Sequence, residues 1–345
     1  MELETITLGG LMDAPMTTRE WLLEPWLREQ ESALIWAAPG VGKTMLTLSL
    51  ALAMAGGGEM LGWKAPKPRK VLFIDGEMPL DDLQGRLTYL ANAVEGLDVE
   101  AARENLVILA RHQQRHDAPF PDFGDDAQFD DIIQLILSHG PDLVVLDNLS
   151  TLATFGDENA AADAQKVVKL LARLKQAKVG VIVVHHSGKA GKSFRGSSML
   201  ATTFEVILGL TKDPEDALLH PGAARFQLEW SKFRHKRDAT IGDRVVTLSE
   251  TDGRPKWREY RPENEVWTAL SALVRTGRYK TRIEVGAALP PHLWPTPDKP
   301  PSAGWVSKQF KLADASGIIR RDEVERLLRA AESEEDEGDG LAIAT

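Results

Sequence analysis

The residues Ala37-Ala38-Pro39-Gly40-Val41-Gly42-Lys43-Thr44 decide how this chain folds. An apolar run, Ala33-Leu34-Ile35-Trp36, precedes them, and a helix-forming run from Met45 to Ala55 follows. A Gly-rich turn between a strand and a helix is a phosphate-binding loop. Small residues let backbone N–H groups close on phosphate oxygens, and the helix N-terminus contributes its positive dipole. Pro39, Gly40, Val41 and Gly42 supply the turn, and Lys43, Thr44 and Met45 the start of the helix. Lys43 has the reach for β- and γ-phosphates, and the Thr44 hydroxyl suits Mg²⁺. ATP with Mg²⁺ is therefore the expected ligand. The first motif position carries Ala37 in place of glycine, which asks for an ordinary backbone conformation there and little extra room.

Around this loop, 345 residues allow one large α/β domain and a smaller one. With 43% hydrophobic and 27% charged residues, a packed core is expected throughout most of the chain. Cysteine is absent, which excludes disulfides, thiolate metal sites and cysteine nucleophiles. No apolar run approaches membrane-spanning length and no secretory signal opens the chain, so a cytoplasmic protein without a membrane partner is expected. The net charge of −10 argues at first against nucleic acid. Much of it, however, sits in the tail, at Glu332, Glu334, Glu335, Asp336, Glu337 and Asp339, while residues 225–244 and 262–330 are locally basic. Phosphate-binding surfaces remain open to it.

Strand-like runs recur at Ser32–Trp36, Lys70–Asp75, Asn105–Ala110, Asp142–Asp147 and Val179–His185. Helical runs lie between them, with apolar faces at Phe129, Ile132, Ile133, Leu135 and Ile136, and at Val167, Val168, Leu170, Leu171 and Leu174. This alternation predicts a mostly parallel sheet covered on both faces. The stretch from Phe204 to Tyr260 is β-rich and extends the sheet with antiparallel strands. Residues 1–260 thus form one α/β domain. Residues 261–330 read as a separate winged-helix or helix-turn-helix module, with helices at Asn264–Arg275, Thr281–Leu289 and Ser302–Ser316. A proline-rich insertion at Pro290–Pro301 and a short strand at Ile318–Arg321 complete it. Residues 331–345 read as an acidic disordered tail.

Three strand ends carry the chemistry. Asp147 closes an apolar strand about 100 residues after the phosphate loop, at the carboxyl edge where ligands bind, and is placed to hold Mg²⁺ beside Thr44. Asp75-Gly76-Glu77 ends another. Glu77 is preferred as the carboxylate that orients the attacking water, because Gly76 lets the chain leave the strand. Asp75 competes for the role. His185-His186 ends a third, and since successive strand residues point opposite ways, one faces the nucleotide; His186 is the choice. Beyond it, Lys189, Lys192 and Arg195 form a basic Gly-rich loop suited to a nucleic-acid backbone. Lys232 and Arg234 alternate along a strand and suit an arginine finger for a neighbouring subunit's γ-phosphate. In the C-terminal module, Lys308 and Lys311 mark the recognition helix of a duplex reader; a helical protein-interaction module fits as well.

This order of motifs resembles the RecA-like P-loop ATPases, and within them the RepA-like plasmid replicative helicases, near the DnaB-type hexameric helicases. The resemblance covers about residues 15–250 and rests on Trp21-Leu22-Leu23-Glu24-Pro25-Trp26-Leu27, the phosphate loop, Asp75-Gly76-Glu77-Met78, Leu146-Asp147-Asn148, His185-His186, Arg195-Gly196-Ser197-Ser198 and Lys232-Phe233-Arg234. It implies a hexameric ring, with ATP at subunit interfaces and single-stranded DNA in a central channel. It further implies Lys43 and Thr44 on phosphate and Mg²⁺, Glu77 as catalytic carboxylate, Asp147 on the metal side, a histidine of the 185–186 pair as γ-phosphate sensor, and Lys232 and Arg234 acting in trans. An ATP-switched DNA-binding regulator and a recombinase-like ATPase are the other readings of the same motifs.

Overall fold

The computed structural model describes residues 4–15, 18–118, 120–154, 161–188, 198–212, 224–237, 240–251, 253–260, 262–296, 298–315 and 318–339. The chain divides into two compact units, Met1–Glu259 and Tyr260–Thr345.

The first unit is built on one nine-stranded sheet. Its strands in chain order are β1 (Ser32–Ala37), β2 (Val71–Asp75), β3 (Leu106–Ala110), β4 (Leu143–Asp147), β5 (Gly180–His186), β6 (Val206–Lys212), β7 (Ala224–Phe233), β8 (Arg244–Thr251) and β9 (Arg254–Tyr260). They lie side by side as β9-β8-β7-β6-β1-β5-β4-β2-β3. The six strands from β6 to β3 run parallel, and β7 and β8 extend them antiparallel. Every residue of β1, β2 and β4 is buried, which is why these strands read as unbroken apolar runs.

Helices cover both faces. Alternate residues of β1 enter opposite cores: Ala33, Ile35 and Ala37 pack with helix α1 (Lys43–Gly56), while Leu34 and Trp36 pack with α4 (Phe129–Ser138) and α5 (Ala161–Gln176). Helices α2 (Leu80–Ala91) and α3 (Val99–Asn105) join the α1 side. This is the mainly parallel α/β arrangement expected of a RecA-like P-loop core. Two short ribbons, Trp21–Leu23 with Leu27–Arg28 and Glu59–Met60 with Trp63–Lys64, flank the sheet. They are tied to it by Trp26, Trp63 and Trp230, three buried rings in mutual edge-to-face contact at 5.6, 5.9 and 5.8 Å. Each such pair contributes about 1 kcal/mol beyond its buried area. No helix among the described residues is long and apolar enough to cross a membrane.

The second unit is helical: α6 (Pro262–Arg275), α7 (Arg282–Ala287), α8 (Ala303–Ala315) and α9 (Arg321–Asp339). Trp267, Leu270, Val285, Val306, Phe310 and Val324 form its core, and Gly286 is required because a Cβ there would meet Val306 at 2.2 Å. Two expectations are corrected here. Ile318–Arg321 is no strand; Ile319 instead buries its side chain among the helices, so no wing is found among the described residues. Of the stretch 331–345 expected as an irregular tail, residues 331–339 continue α9 as far as Asp339, and residues 340–345 lie outside the described residues; Glu and Ala are strong helix formers. Lys308 and Lys311 lie exposed on α8, opposite the buried Val306, Phe310 and Ala313.

Candidate active site

The phosphate loop leaves β1 at the carboxyl edge of the sheet and feeds α1. Gly40 and Gly42 have φ of 78° and 117°, a region that side chains disfavour. At Gly42 a Cβ would also sit 3.1 Å from Ala224 and Phe226. The loop forms one wall of a cleft of about 660 Å³. Pro39, Gly40, Val41, Gly42, Lys43, Thr44 and Met45 line it, together with Asp75, Glu77, Asp147, Asn148 and His186. The sheet thus brings the ends of β1, β2, β4 and β5 to one place.

Within the cleft, Lys43 is nearly buried. Its Nζ donates to the carbonyls of Ala37 and Ala38, both at 3.3 Å, and lies 3.4 Å from His186 Nδ1. An ammonium can only donate, so Nδ1 accepts and the imidazole proton resides on Nε2. Burial holds Lys43 below the usual ammonium range, with the charges of Asp147 and Glu77 opposing. For Asp147 burial acts the other way. Aided by the negative charge of Asp75, it pushes the carboxyl up to about 7, against hydrogen bonds from Thr44 and Thr47 and the attraction of Lys43. The Thr47 hydroxyl lies 3.3 Å from Asp147 Oδ2.

Asp75 and Glu77 divide their work. Asp75 Oδ1 accepts the N–H groups of Glu77 at 3.1 Å and Met78 at 2.7 Å, so it pins the turn after β2. Burial raises its pKa, opposed by those two N–H donors. Glu77 is exposed to the cleft, and its Oε2 accepts 2.7 Å from Asn148 Nδ2. Asn148 also caps the short helix Leu149–Leu152, its Oδ1 accepting from Thr151 N at 3.2 Å. The Asp147–Asn148 peptide is cis. As for the histidines, His185 is buried with Nδ1 3.4 Å from Ser150 Oγ, whereas His186 lines the cleft.

Oxygen donors alone suit Mg²⁺, and a buried carboxylate flanked by two hydroxyls is short of a cation. Thr44 and Asp147 are the residues that would hold it. No cluster of three or more acidic or histidine side chains forms a closed metal cage among the described residues.

The remaining expected residues lie elsewhere. Lys232 Nζ donates to Ala201 O at 2.7 Å and Thr202 O at 3.0 Å, and Arg234 reaches Thr202 O at 3.1 Å and Glu205 Oε1 at 3.4 Å. Because β7 runs antiparallel, its end lies at the amino edge of the sheet, where Glu205 accepts from Ser32. A six-residue strand, about 20 Å, separates them from the loop after Ala37. They do not reach the cleft of their own chain. Lys189, Lys192 and Arg195 fall outside the described residues.

Several cleft residues escape sequence reasoning. Asp82, Arg86 and Tyr89 line it from α2, and their spacing on one helical face just after Glu77 was the available signal. Asn148 and Thr47 were visible only as neighbours of Asp147 and Lys43.

With this geometry in view, the comparisons with known proteins are direct. The profile of the AAA domain family matches residues 1–192, the part that holds the loop, Glu77, Asp147 and His186. The chain belongs to the AAA domain family. It is an AAA-type P-loop ATPase. Among solved structures, the KaiC-like protein of the hyperthermophilic archaeon Pyrococcus horikoshii aligns with 70% of this AAA protein and 94% of its own chain, at 16% identity and a TM-score of 0.47. No curated protein matches.

Proposed function

We propose that this AAA-type ATPase hydrolyses ATP by attack of a Glu77-oriented water on the γ-phosphate and couples that step to movement on DNA, as a RepA-like replicative helicase assembled in a ring of about six copies. Lys43 exchanges its two backbone carbonyls for phosphate oxygens and takes up charge that develops there. His186, which lines the cleft beside Lys43, senses the γ-phosphate. Mg²⁺, when bound at Thr44 and Asp147, supplies further neutralisation of the phosphates.

The observation that carries the ring is the separation of Lys232 and Arg234 from the cleft of their own chain. For this pair to serve a nucleotide, that nucleotide has to be a neighbouring subunit's. The cytoplasm is the compartment proposed. The alternative, an ATP-switched regulator that reads duplex DNA, is favoured by one observation: the second unit presents Lys308 and Lys311 together on the outer face of α8.

Turnover measured without DNA, with single-stranded DNA and with duplex DNA separates the two, Lys43→Ala serving as blank. Strong single-strand stimulation is expected. Stimulation by duplex alone, or by neither, overturns the motor in favour of the regulator.

A further inference from the structure

A second cleft, of about 820 Å³, opens at the same edge of the sheet, beyond β2 and β3. Arg111, Gln114, Arg115 and His116 form one wall with Phe120, and residues 150–154 form the other. The Arg111 guanidinium sits 4.9 Å from the Phe120 ring and donates through Nη2 to Thr151 O at 2.6 Å. Arg115 pairs with Asp117 at 2.8 Å, both side chains largely exposed, so the pair is weak and exchangeable. The carboxylate that lines the cleft, Asp122, is committed to the N–H groups of Gly124 and Thr154, each at 2.8 Å. The cleft therefore offers two guanidinium groups and an aromatic face to an incoming ligand. Its Gln114 amide is turned to Ala110 O at 2.9 Å.

Three contacts lead from this wall to the catalytic turn. Arg111 holds Thr151 O, Thr151 N is held by Asn148 Oδ1 at 3.2 Å, and Asn148 Nδ2 holds Glu77 Oε2 at 2.7 Å. Gly76 lines the same cleft, and it leaves no slack: a Cβ there would meet Thr151 Oγ1 and Leu152.

We propose that this second cleft binds the sugar–phosphate backbone of a single nucleic-acid strand, and that its occupancy is relayed to Glu77 through Thr151 and Asn148. A phosphate that draws Arg111 off Thr151 O loosens the turn capped by Asn148 and frees the Glu77 carboxylate for water. The Arg111 guanidinium, laid over the Phe120 ring, offers a plane for stacking that any base can use, which favours an unpaired strand over a duplex. The proposal rests on the nucleic-acid reading given above.

The test is the anisotropy of dye-labelled dT₂₀, rU₂₀ and a duplex on the full chain with a non-hydrolysable ATP analogue, across a salt series. Wild type is expected to bind dT₂₀ and rU₂₀ better than duplex. Arg111→Gln/Arg115→Gln should weaken the single strands at least tenfold and lower the salt slope by about 1.4, two cations at about 0.7 each. Binding of the ATP analogue within twofold of wild type reports the fold. Should the double variant lose that binding, Arg115→Gln alone, whose side chain bonds only Asp117 among the described residues, is expected to lower the slope by about 0.7. Asn148→Ala should keep dT₂₀ affinity and abolish the stimulation of turnover by dT₂₀. If wild type binds dT₂₀ and the arginine variants match it in affinity and slope, the cleft is the wrong site while the nucleic-acid reading stands. A preference for duplex also overturns the cleft. Binding of none of the three probes by wild type overturns both.

Discussion

The two edges of the parallel sheet treat a buried carboxylate in opposite ways. At the carboxyl edge, Asp147 is driven up to about 7 by burial and by Asp75. At the amino edge, burial also works against Glu205, yet its contacts with Lys175 and Ser32 more than offset it and leave its pKa lowered. Lys175 Nζ lies 2.8 Å from Glu205 Oε2, which also accepts from Ser32 N at 2.8 Å. One edge is electrostatically complete. The other crowds two carboxylates with one lysine whose charge burial disfavours, an arrangement that a metal–phosphate ligand resolves. Perturbed groups in a cleft mark a working site for this reason.

The comparison is broken most severely at the cleft. Glu77→Gln is expected to lower turnover by about 10³-fold while ATP stays bound, since a positioned general base contributes on that order. Single-turnover hydrolysis alongside equilibrium binding of a fluorescent ATP analogue measures both. At the other edge, Arg234→Ala is expected to cost about as much, roughly 10³-fold, with ATP affinity kept within a few-fold. Mixing Arg234→Ala with Lys43→Ala chains should restore some turnover, because a mixed boundary joins an intact cleft to an intact finger. Failure of the mixture to recover removes the trans assignment.

Stability sharpens the contrast by opposite pH dependence. Asp147 has a folded pKa above its unfolded value, so the protonated carboxyl's contribution is full below about 3.8 and is lost as pH rises through about 7. Nucleotide-free Asp147→Asn should therefore melt about 2 °C or more above wild type at pH 8, the gain fading by pH 5. Glu205 is lowered, so its contribution is present above the ordinary carboxyl range and is lost as pH falls through its folded pKa. Glu205→Gln should cost about 2 kcal/mol in urea unfolding at pH 7 and progressively less in acid.

What the sequence reveals follows the range of the interactions. The phosphate loop is legible because its parts are contiguous, and β1, β2 and β4 because complete burial leaves unbroken apolar runs. His186 was a choice between neighbours; the cleft takes His186 and the core takes His185. The pairs that tune the site were not legible. Thr47 meets Asp147 and Asn148 meets Glu77 only because strand order folds distant segments together. In the second unit the local signals are ambiguous: two isoleucines before a helix resemble a strand, yet Ile319 enters the helical core and Ile318 packs against it.

Strand β1 joins the two edges, and mechanically it is a strut. All six residues are buried, and β5 and β6 are hydrogen-bonded to its two sides. At one end Ala37 O holds the Lys43 ammonium; at the other Ser32 holds Glu205, which holds Arg234. Close-packed interiors compress little. The strand that builds the pocket at one edge is thus also the stiff link to the carboxylate that holds Arg234 at the other.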